Sequence, residues 1–398
     1  MSLGSTAQRV SLLSLALLFA ACSDDDSATP DPGVSTNAVL ENYAANLYAG
    51  YSDSVTDEQD FNTKVEAFLS SPTDATLTDA RNAWIASREP YMLMEGARFY
   101  DGPIDIDPPN HEALLNSWPL DEAYIDYTTN KDSGVVDETA GLINHTDTLP
   151  NITSSALDAL NAQGGDTNIS SGYHAIEFLL WGQALKDVGP GERSATDYVV
   201  GGPRKNPDRR STYLRTSVAG VIEHLTAVRD AWAPGAAYRT QFVQAGLPSI
   251  ALAFTGLGKM SKGELAGERI NAPYASKARR DQHDCFSSLT LVDYDRDARG
   301  LQAIYLGKYG ANDGPGLDEL VRAKNPELDA RLQKQLQTSV DAINAIPKPF
   351  EASIMGEDGS PGRTAIRAAI DSLRAQGDMF AEAAAALGLT IQVPDTND

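Results

Sequence analysis

The chain has 398 residues, enough for two ordinary domains, and its 42% hydrophobic and 22% charged composition is that of a globular protein. Its formal charge of −23 argues against a nucleic-acid partner, because nucleic-acid binders present basic surfaces. The same acidic field raises the local concentration of cations, although a solubilising acidic surface would look identical. Two cysteines, Cys22 and Cys285, exclude a disulfide framework and a multi-cysteine zinc site.

Residues 1–21 read as a signal peptide: Arg9 is the positive flank, and Val10 to Ala21 form an apolar run too short to span a bilayer. The sequence Phe19-Ala20-Ala21-Cys22 resembles a bacterial lipobox, which predicts acylation of Cys22. Buried acyl methylenes contribute about 0.8 kcal/mol each, so a multiply acylated Cys22 anchors the chain stably to a membrane. Ser23, in place of an aspartate after the cysteine, points to the outer membrane of a bacterial envelope, facing the periplasm or the surface. The run Asp24-Asp25-Asp26 resembles surface-export tags. Residues 22–36 are acidic and rich in Pro, Ser and Thr, as expected of a disordered tether behind the lipidated cysteine.

From Asn37 onward helical periodicity dominates and period-two strand runs are absent, so the fold class is all-α. The expected helices cover 37–52, 57–70, 75–100, 153–163, 171–183, 206–232, 237–254, 316–344 and 361–387. Asn37 and Thr56 suit N-caps, Gln59 completes a capping box with Thr56, and Pro207 suits a first helical turn. Gly201-Gly202-Pro203 interrupts the chain near its middle. The expectation is two helical-bundle domains, 37–205 and 206–391, followed by a tail at 392–398.

Two stripes carry chemistry. Trp84, Arg88, Tyr91, Glu95 and Arg98 are spaced 4, 3, 4 and 3 apart and share one helical face, with Pro90 set to kink it. Such a stripe is either a solvated face with ordinary ion pairs or the lining of an internal polar site. The second stripe is His174, Glu177, Phe178 and Trp181, inside the apolar run 172–183. An imidazole and a carboxylate one turn apart can hold a transition metal, or they can form a satisfied buried hydrogen-bonded pair. Glu95 is the first candidate for a further ligand, and Arg88 and Arg98 could position it or bind an anion. The peptidase patterns HExxH and HxxEH are absent, as is G-x-S-x-G. His283 lies two residues before Cys285, but nearness in sequence does not make a dyad, and a buried structural cysteine is the default. His111, His145 and His224 lack ligand spacing and read as surface or packing residues.

These residues resemble the imelysin family. Its GxHxxE motif stands here as Gly172-Tyr173-His174-Ala175-Ile176-Glu177, continuing into Phe178-Leu179-Leu180-Trp181-Gly182-Gln183. The likeness extends through Trp84 to Tyr91, Glu95, Arg98, Gly102 to Asp105, Trp118 to Tyr127, Gly191 to Arg193, Arg210 and Gly263 to Arg269. The family's run EHSCFSDNT reads Gln282-His283-Asp284-Cys285-Phe286-Ser287-Ser288-Leu289-Thr290, with glutamine for an acid at 282 and serine for aspartate at 288. The resemblance implies an all-helical fold with a site between two bundles, a bacterial envelope location and a link to iron. The metal ligands would be His174 and Glu177, with Glu95 third. Arg88, Tyr91 and Arg98 would stand behind them, and Asp121 and Ser287 would line the pocket.

Three functions compete on this reading. The first is an envelope lipoprotein that binds iron, or another divalent metal such as zinc, for uptake or sensing beside envelope iron-uptake proteins. The second is a metallopeptidase, which the family label suggests but for which no general base of known spacing is present. The third is a non-catalytic module whose Arg88, Arg98 and Arg210 receive an anionic ligand or partner.

Overall fold

The computed structural model describes residues 34–396; the expected signal peptide and Cys22 lie outside them. Ser35 caps the first helix, its hydroxyl accepting the N–H of Ala38 at 3.1 Å, so the expected cap Asn37 sits inside the first turn. Helix α1 then runs Thr36–Ser70 without the expected break at 52–57. Tyr51, Val55, Phe61 and Val65 continue one buried stripe through that point, and Thr56 turns its hydroxyl back onto the Ser52 carbonyl at 2.9 Å instead of capping. Helix α2 (Asp74–Leu93) starts at a capping box of Thr73 and Thr76 and continues through Pro90. It gives way to a 3₁₀ turn at Glu95–Ala97.

The chain continues through α3 (His111–Leu115), α4 (Glu122–Ile125), α5 (Ser154–Leu160), α6 (Gly172–Trp181) and α7 (Pro207–Ala231). The expected helix 237–254 divides at Gly246 into α8 (Ala237–Ala245) and α9 (Leu247–Lys259). Helix α9 passes directly into a π-helical stretch, Met260–Ile270, and on into α10 (Asn271–Ser276). After α11 (Thr290–Tyr305), the expected helix 316–344 divides before Pro326 into α12 (Leu317–Lys324) and α13 (Pro326–Asn344). Proline lacks an N–H and forces the preceding residue out of the helical region, which explains that break. Helices α14 (Phe350–Met355) and α15 (Pro361–Ala386) complete the order. Among the described residues, strands are limited to two antiparallel pairs of two residues each, so the fold is all-α as expected.

Helix α1 packs on α2 and α7, α13 packs on α15, and α15 packs on α9 and the π-helical stretch. Helix α11 touches both α2 and α13, tying early and late helices together. Helix α7, which opens where a domain boundary was expected, packs back on α1 and α6. All ten residues of α6 are buried. Apart from His174 and Glu177 the helix is apolar around its circumference, as expected of a helix in a core. Tyr173, Ile176, Phe178, Leu179, Leu180 and Trp181 each contribute about 1.5–3 kcal/mol of burial there. Near its C-terminus the Leu180 carbonyl is held by Arg81, whose guanidinium donates to it at 2.8 Å and also to Arg193 O, outside the helix, at 3.0 Å.

One core group is a liability. Glu58 of α1 is fully buried, and neither carboxylate oxygen has a hydrogen-bond partner. Burial pushes its carboxyl up to about 8, opposed by the nearby Arg88 charge, while the Ser87 hydroxyl donates to the Trp84 carbonyl instead. The folded state therefore holds a proton that the unfolded chain releases near pH 4–5, and this contribution to stability declines as pH rises from there towards 8. Glu58→Gln is expected to stabilise the protein by on the order of 3 kcal/mol at pH 7 and to flatten that decline. Urea denaturation at pH 5, 7 and 8 measures it; parallel curves for variant and wild type would refute it.

Candidate metal centre

Helix α6 is seated by its first residue. Gly172 has φ of +85°, and a Cβ there would lie 2.5 Å from the Leu115 carbonyl oxygen of α3. This close approach explains why glycine opens the Gly-x-His-x-x-Glu segment, and it brings Asn116, just after α3, beside the histidine stripe. One turn apart on α6, His174 Nδ1 and Glu177 Oε2 are 3.2 Å apart. The other Glu177 oxygen accepts backbone N–H groups from Phe286 at 3.1 Å and Ser287 at 2.6 Å. That double anchor pins the loop 282–289 against α6 and delivers His283 and Asp284 to the same place.

The result is a buried cluster. The imidazole rings of His174 and His283 meet edge to face with centroids 4.6 Å apart. Asp284 Oδ1 lies 3.5 Å from His174 Nδ1 and 3.8 Å from His283 Nδ1. One ligand atom each from His174, His283 and Asp284 lie within 4.8 Å of one another. His174 Nε2 and both Asp284 carboxylate oxygens are buried without a hydrogen-bond partner. Unsatisfied buried polar atoms of this kind are costly, and a bound cation is one way to satisfy them.

Behind the cluster stands Asp293 of α11, 3.1 Å from His283 Nδ1 and paired with Arg88 of α2. Arg88 also lies 3.5 Å from Asp284, donates to Asn116 Oδ1 at 3.2 Å, and rests over the rings of Trp84 and Tyr173. Burial holds both imidazoles well below the ordinary histidine range, with Arg88 adding to the effect at His174 and Arg269 at His283. Both rings are therefore neutral; His174 Nε2 has no hydrogen-bond partner, whereas His283 Nε2 faces Asn116 Nδ2 at 3.5 Å. Burial and the neighbouring Asp293 push Asp284 well above the carboxylate range. Burial also acts on Asp293, but Arg88 and His283 reverse it and hold that carboxylate ionised. Glu177 is pushed up to about 7 by burial, opposed by the Ser287 N–H.

The expected further ligand, Glu95, is not among the converging atoms. Its Oε1 accepts from Arg98 at 3.2 Å and from Asn116 at 3.3 Å, and its Oε2 is 2.5 Å from Arg269 NH2. Burial raises the Glu95 carboxyl, but Arg269 and Arg98 overcome this and hold it low. Arg98 also pairs with Glu112 at 3.0 Å, and Tyr91 donates its hydroxyl to the other Glu112 oxygen at 2.5 Å. Arg88, Tyr91 and Arg98 thus form the polar shell around the cluster. Ser287 contributes its backbone N–H. Asp121 is exposed and caps α4 through Ala123 N at 3.0 Å, away from the cluster. Arg210, weighed as an anion receptor, is committed to Asp126 at 2.7 Å and 2.9 Å.

Three residues that sequence reasoning passed over prove central: His283, Asp284 and Asp293. The usable signal is the adjacent His283-Asp284 pair within the segment resembling the family, between the substituted positions 282 and 288. Outside the cluster, Asn116, Trp118, Arg98 and Glu112 line a cleft of about 420 Å³. Asn116 Nδ2 is 3.5 Å from His283 Nε2, and the Trp118 ring packs edge-on to His283, so these two side chains separate the cleft from the buried imidazoles.

Iron-regulated protein A of Synechococcus elongatus is 23% identical over 379 residues, covering 91% of this chain and 90% of that protein. A crystal structure from Parabacteroides distasonis, provisionally assigned as an iron-regulated protein A precursor, shares the fold with a TM-score of 0.64. It is 18% identical and covers 87% of this chain and 95% of its own. The family model for imelysin matches residues 47–379, the span that carries α2, α6, the 282–289 loop and α11, and the chain belongs to the imelysin family.

Proposed function

We propose that this protein binds a divalent transition metal, iron first, at His174, His283 and Asp284, as an envelope lipoprotein serving metal uptake or sensing. The observation that carries the reading is the convergence of two neutral imidazoles and a carboxyl group, in which His174 Nε2 and both Asp284 oxygens are buried without a hydrogen-bond partner. A nitrogen and oxygen donor set suits iron, zinc or a neighbouring borderline metal better than calcium or magnesium. Glu177 and Asp293 would orient the ligand histidines, as carboxylates commonly do behind a metal-bound imidazole. The names of the Synechococcus and Parabacteroides relatives support iron as the first metal to test.

Burial favours holding an ion over hydrolysing a peptide. His174 and His283 are each 2% exposed, and Glu177 and Asp284 are fully buried. A peptide bond would have to pass Asn116 and Trp118 to reach them, whereas an ion shed of its water needs only a narrow opening. Acylation of Cys22 would hold the domain at the outer membrane, where it could exchange metal with iron-uptake proteins.

The test is anaerobic ferrous titration with elemental analysis of the wild type beside His174→Ala/His283→Ala. The wild type is expected to bind iron stoichiometrically, and the variant to lose affinity by about 100-fold or more while keeping its helical spectrum. Equal uptake by both would move the function away from this centre.

A further inference from the structure

Two more histidines meet on the other side of α3. His111, its first residue, and His224 of α7 face each other Nδ1 to Nδ1 at 3.1 Å, with ring centroids 5.2 Å apart and planes inclined at 55°. His224 is nearly buried and His111 half-buried. On the far side of His224, its Nε2 lies 3.3 Å from Asp158 Oδ2 of α5. Three separate helices thus bring an imidazole, a second imidazole and a carboxylate into line.

Two imidazole lone pairs pointed at one another repel unless a positive centre lies between them. That centre is either a proton on one ring or a metal ion shared by both. Asp158 biases the choice of tautomer. His224 Nε2 has no hydrogen-bond partner, and Asp158 Oδ2 stands 3.3 Å from it; a proton on Nε2 would face that carboxylate and leave His224 Nδ1 as a lone-pair donor, the usual arrangement behind a metal-bound histidine. The spacing also fits. Two nitrogens bound at about 2.0–2.1 Å to one ion are about 2.9–3.4 Å apart for angles between square and tetrahedral. The observed 3.1 Å falls inside that window before any ion is added.

We propose that His111 and His224 form a second divalent transition-metal site, an outer clip oriented by Asp158 and completed by water. Imidazole donors select zinc, nickel or copper over calcium and magnesium. The clip shares no ligand with the buried centre and stands whether or not that centre binds metal. The clip borders the cleft: the residues flanking His111, Asn110 and Glu112, both line the cavity that also reaches Asn116. An ion held by the clip would sit at the rim of that cleft.

The experiment is calorimetric zinc titration of the full-length chain in excess Mg²⁺, which occupies the acidic surface. Wild type, His111→Gln, and His174→Ala/His283→Ala are compared, with Co²⁺ absorption reporting nitrogen ligation. The expected result is loss of one zinc equivalent in His111→Gln and retention of that equivalent in His174→Ala/His283→Ala. Asp158→Asn, which leaves both imidazoles in place, is expected to weaken that equivalent about 10-fold or more. It also serves as the variant of record should His111→Gln misfold. If His174→Ala/His283→Ala titrates like the wild type while His111→Gln loses its only equivalent, the buried-centre reading fails and the clip stands. Unchanged zinc stoichiometry and affinity in His111→Gln and Asp158→Asn would overturn the clip and leave a proton-shared histidine pair.

Discussion

Replacing Arg269 with methionine is expected to destabilise the protein by about 3–5 kcal/mol, the usual cost of removing one partner from a buried ion network. Arg269 is fully buried and reaches three carboxylates: Glu95 at 2.5 Å, Glu264 at 2.9 Å and Asp297 at 3.0 Å. Methionine fills much of its volume, so the loss reports charge more than packing. Without the guanidinium, Glu95 loses the larger of the two charges that hold its carboxyl low, and Asp297, which burial already pushes well above the carboxylate range, is pushed further, so folding must draw protons from solution. Their folded-state affinity for protons would exceed the unfolded value, so the penalty should grow as pH rises from 5 to 8. Urea denaturation at both pH values measures this. Adding Glu95→Gln to Arg269→Met should recover part of the loss, giving a coupling that two independent sites would not show. A loss below about 1 kcal/mol at pH 8 would mean that the network does not depend on Arg269.

Metal affinity at the buried centre is expected to rise up to tenfold per pH unit between pH 6 and 8. In the free protein burial and Asp293 push the Asp284 carboxyl well above the ordinary range, which favours its protonated form. Glu177, pushed up to about 7 by burial, can hold a second proton. A cation must displace the Asp284 proton to use that oxygen, so raising the pH removes a competitor. Competition titrations with Co²⁺ at pH 6, 7 and 8, with proton release followed in weak buffer, test this directly. Asp284→Asn should lower affinity by about 100-fold or more and remove most of the pH dependence. Affinity that ignores both pH and this substitution would exclude Asp284 as a ligand.

The sequence carried the local half of this site. His174 and Glu177 are legible because three residues on one helix face is a rule of local geometry, and the apolar run around them shows that the face is buried. The stripe Arg88, Tyr91, Glu95 and Arg98 was legible as polar, but not as inward, and α2 ends at Leu93, so Glu95 and Arg98 reach the same place from a 3₁₀ turn and the extended residue after it. Its partners were not legible. Periodicity gives the face a side chain occupies but not what waits opposite, and Glu95 meets Arg269 from a distant element. His283 and Asp284 reach His174 because two backbone N–H groups bind Glu177, an interaction that leaves almost no trace in side-chain identity. The uninterrupted α1 has a related cause: Thr56 and Gln59 form a capping-box pattern, but the buried stripe runs on through it, and packing decides.

The π-helical stretch Met260–Ile270 has a consequence for how this site tolerates change in length. On an α-helix, residues five apart lie about 140° from one another around the axis. In a π-helix, hydrogen bonds join residues five apart and bring them towards one face. Glu264 and Arg269 are five apart and meet at 2.9 Å, so their contact belongs to the wider coil. Deleting a single residue in this stretch would let the chain relax into the tighter helix and swing Arg269 away from Glu95 and Asp297. Shortening an exposed loop by one residue is ordinarily harmless, whereas here it would dismantle a buried charge network without altering any member of it.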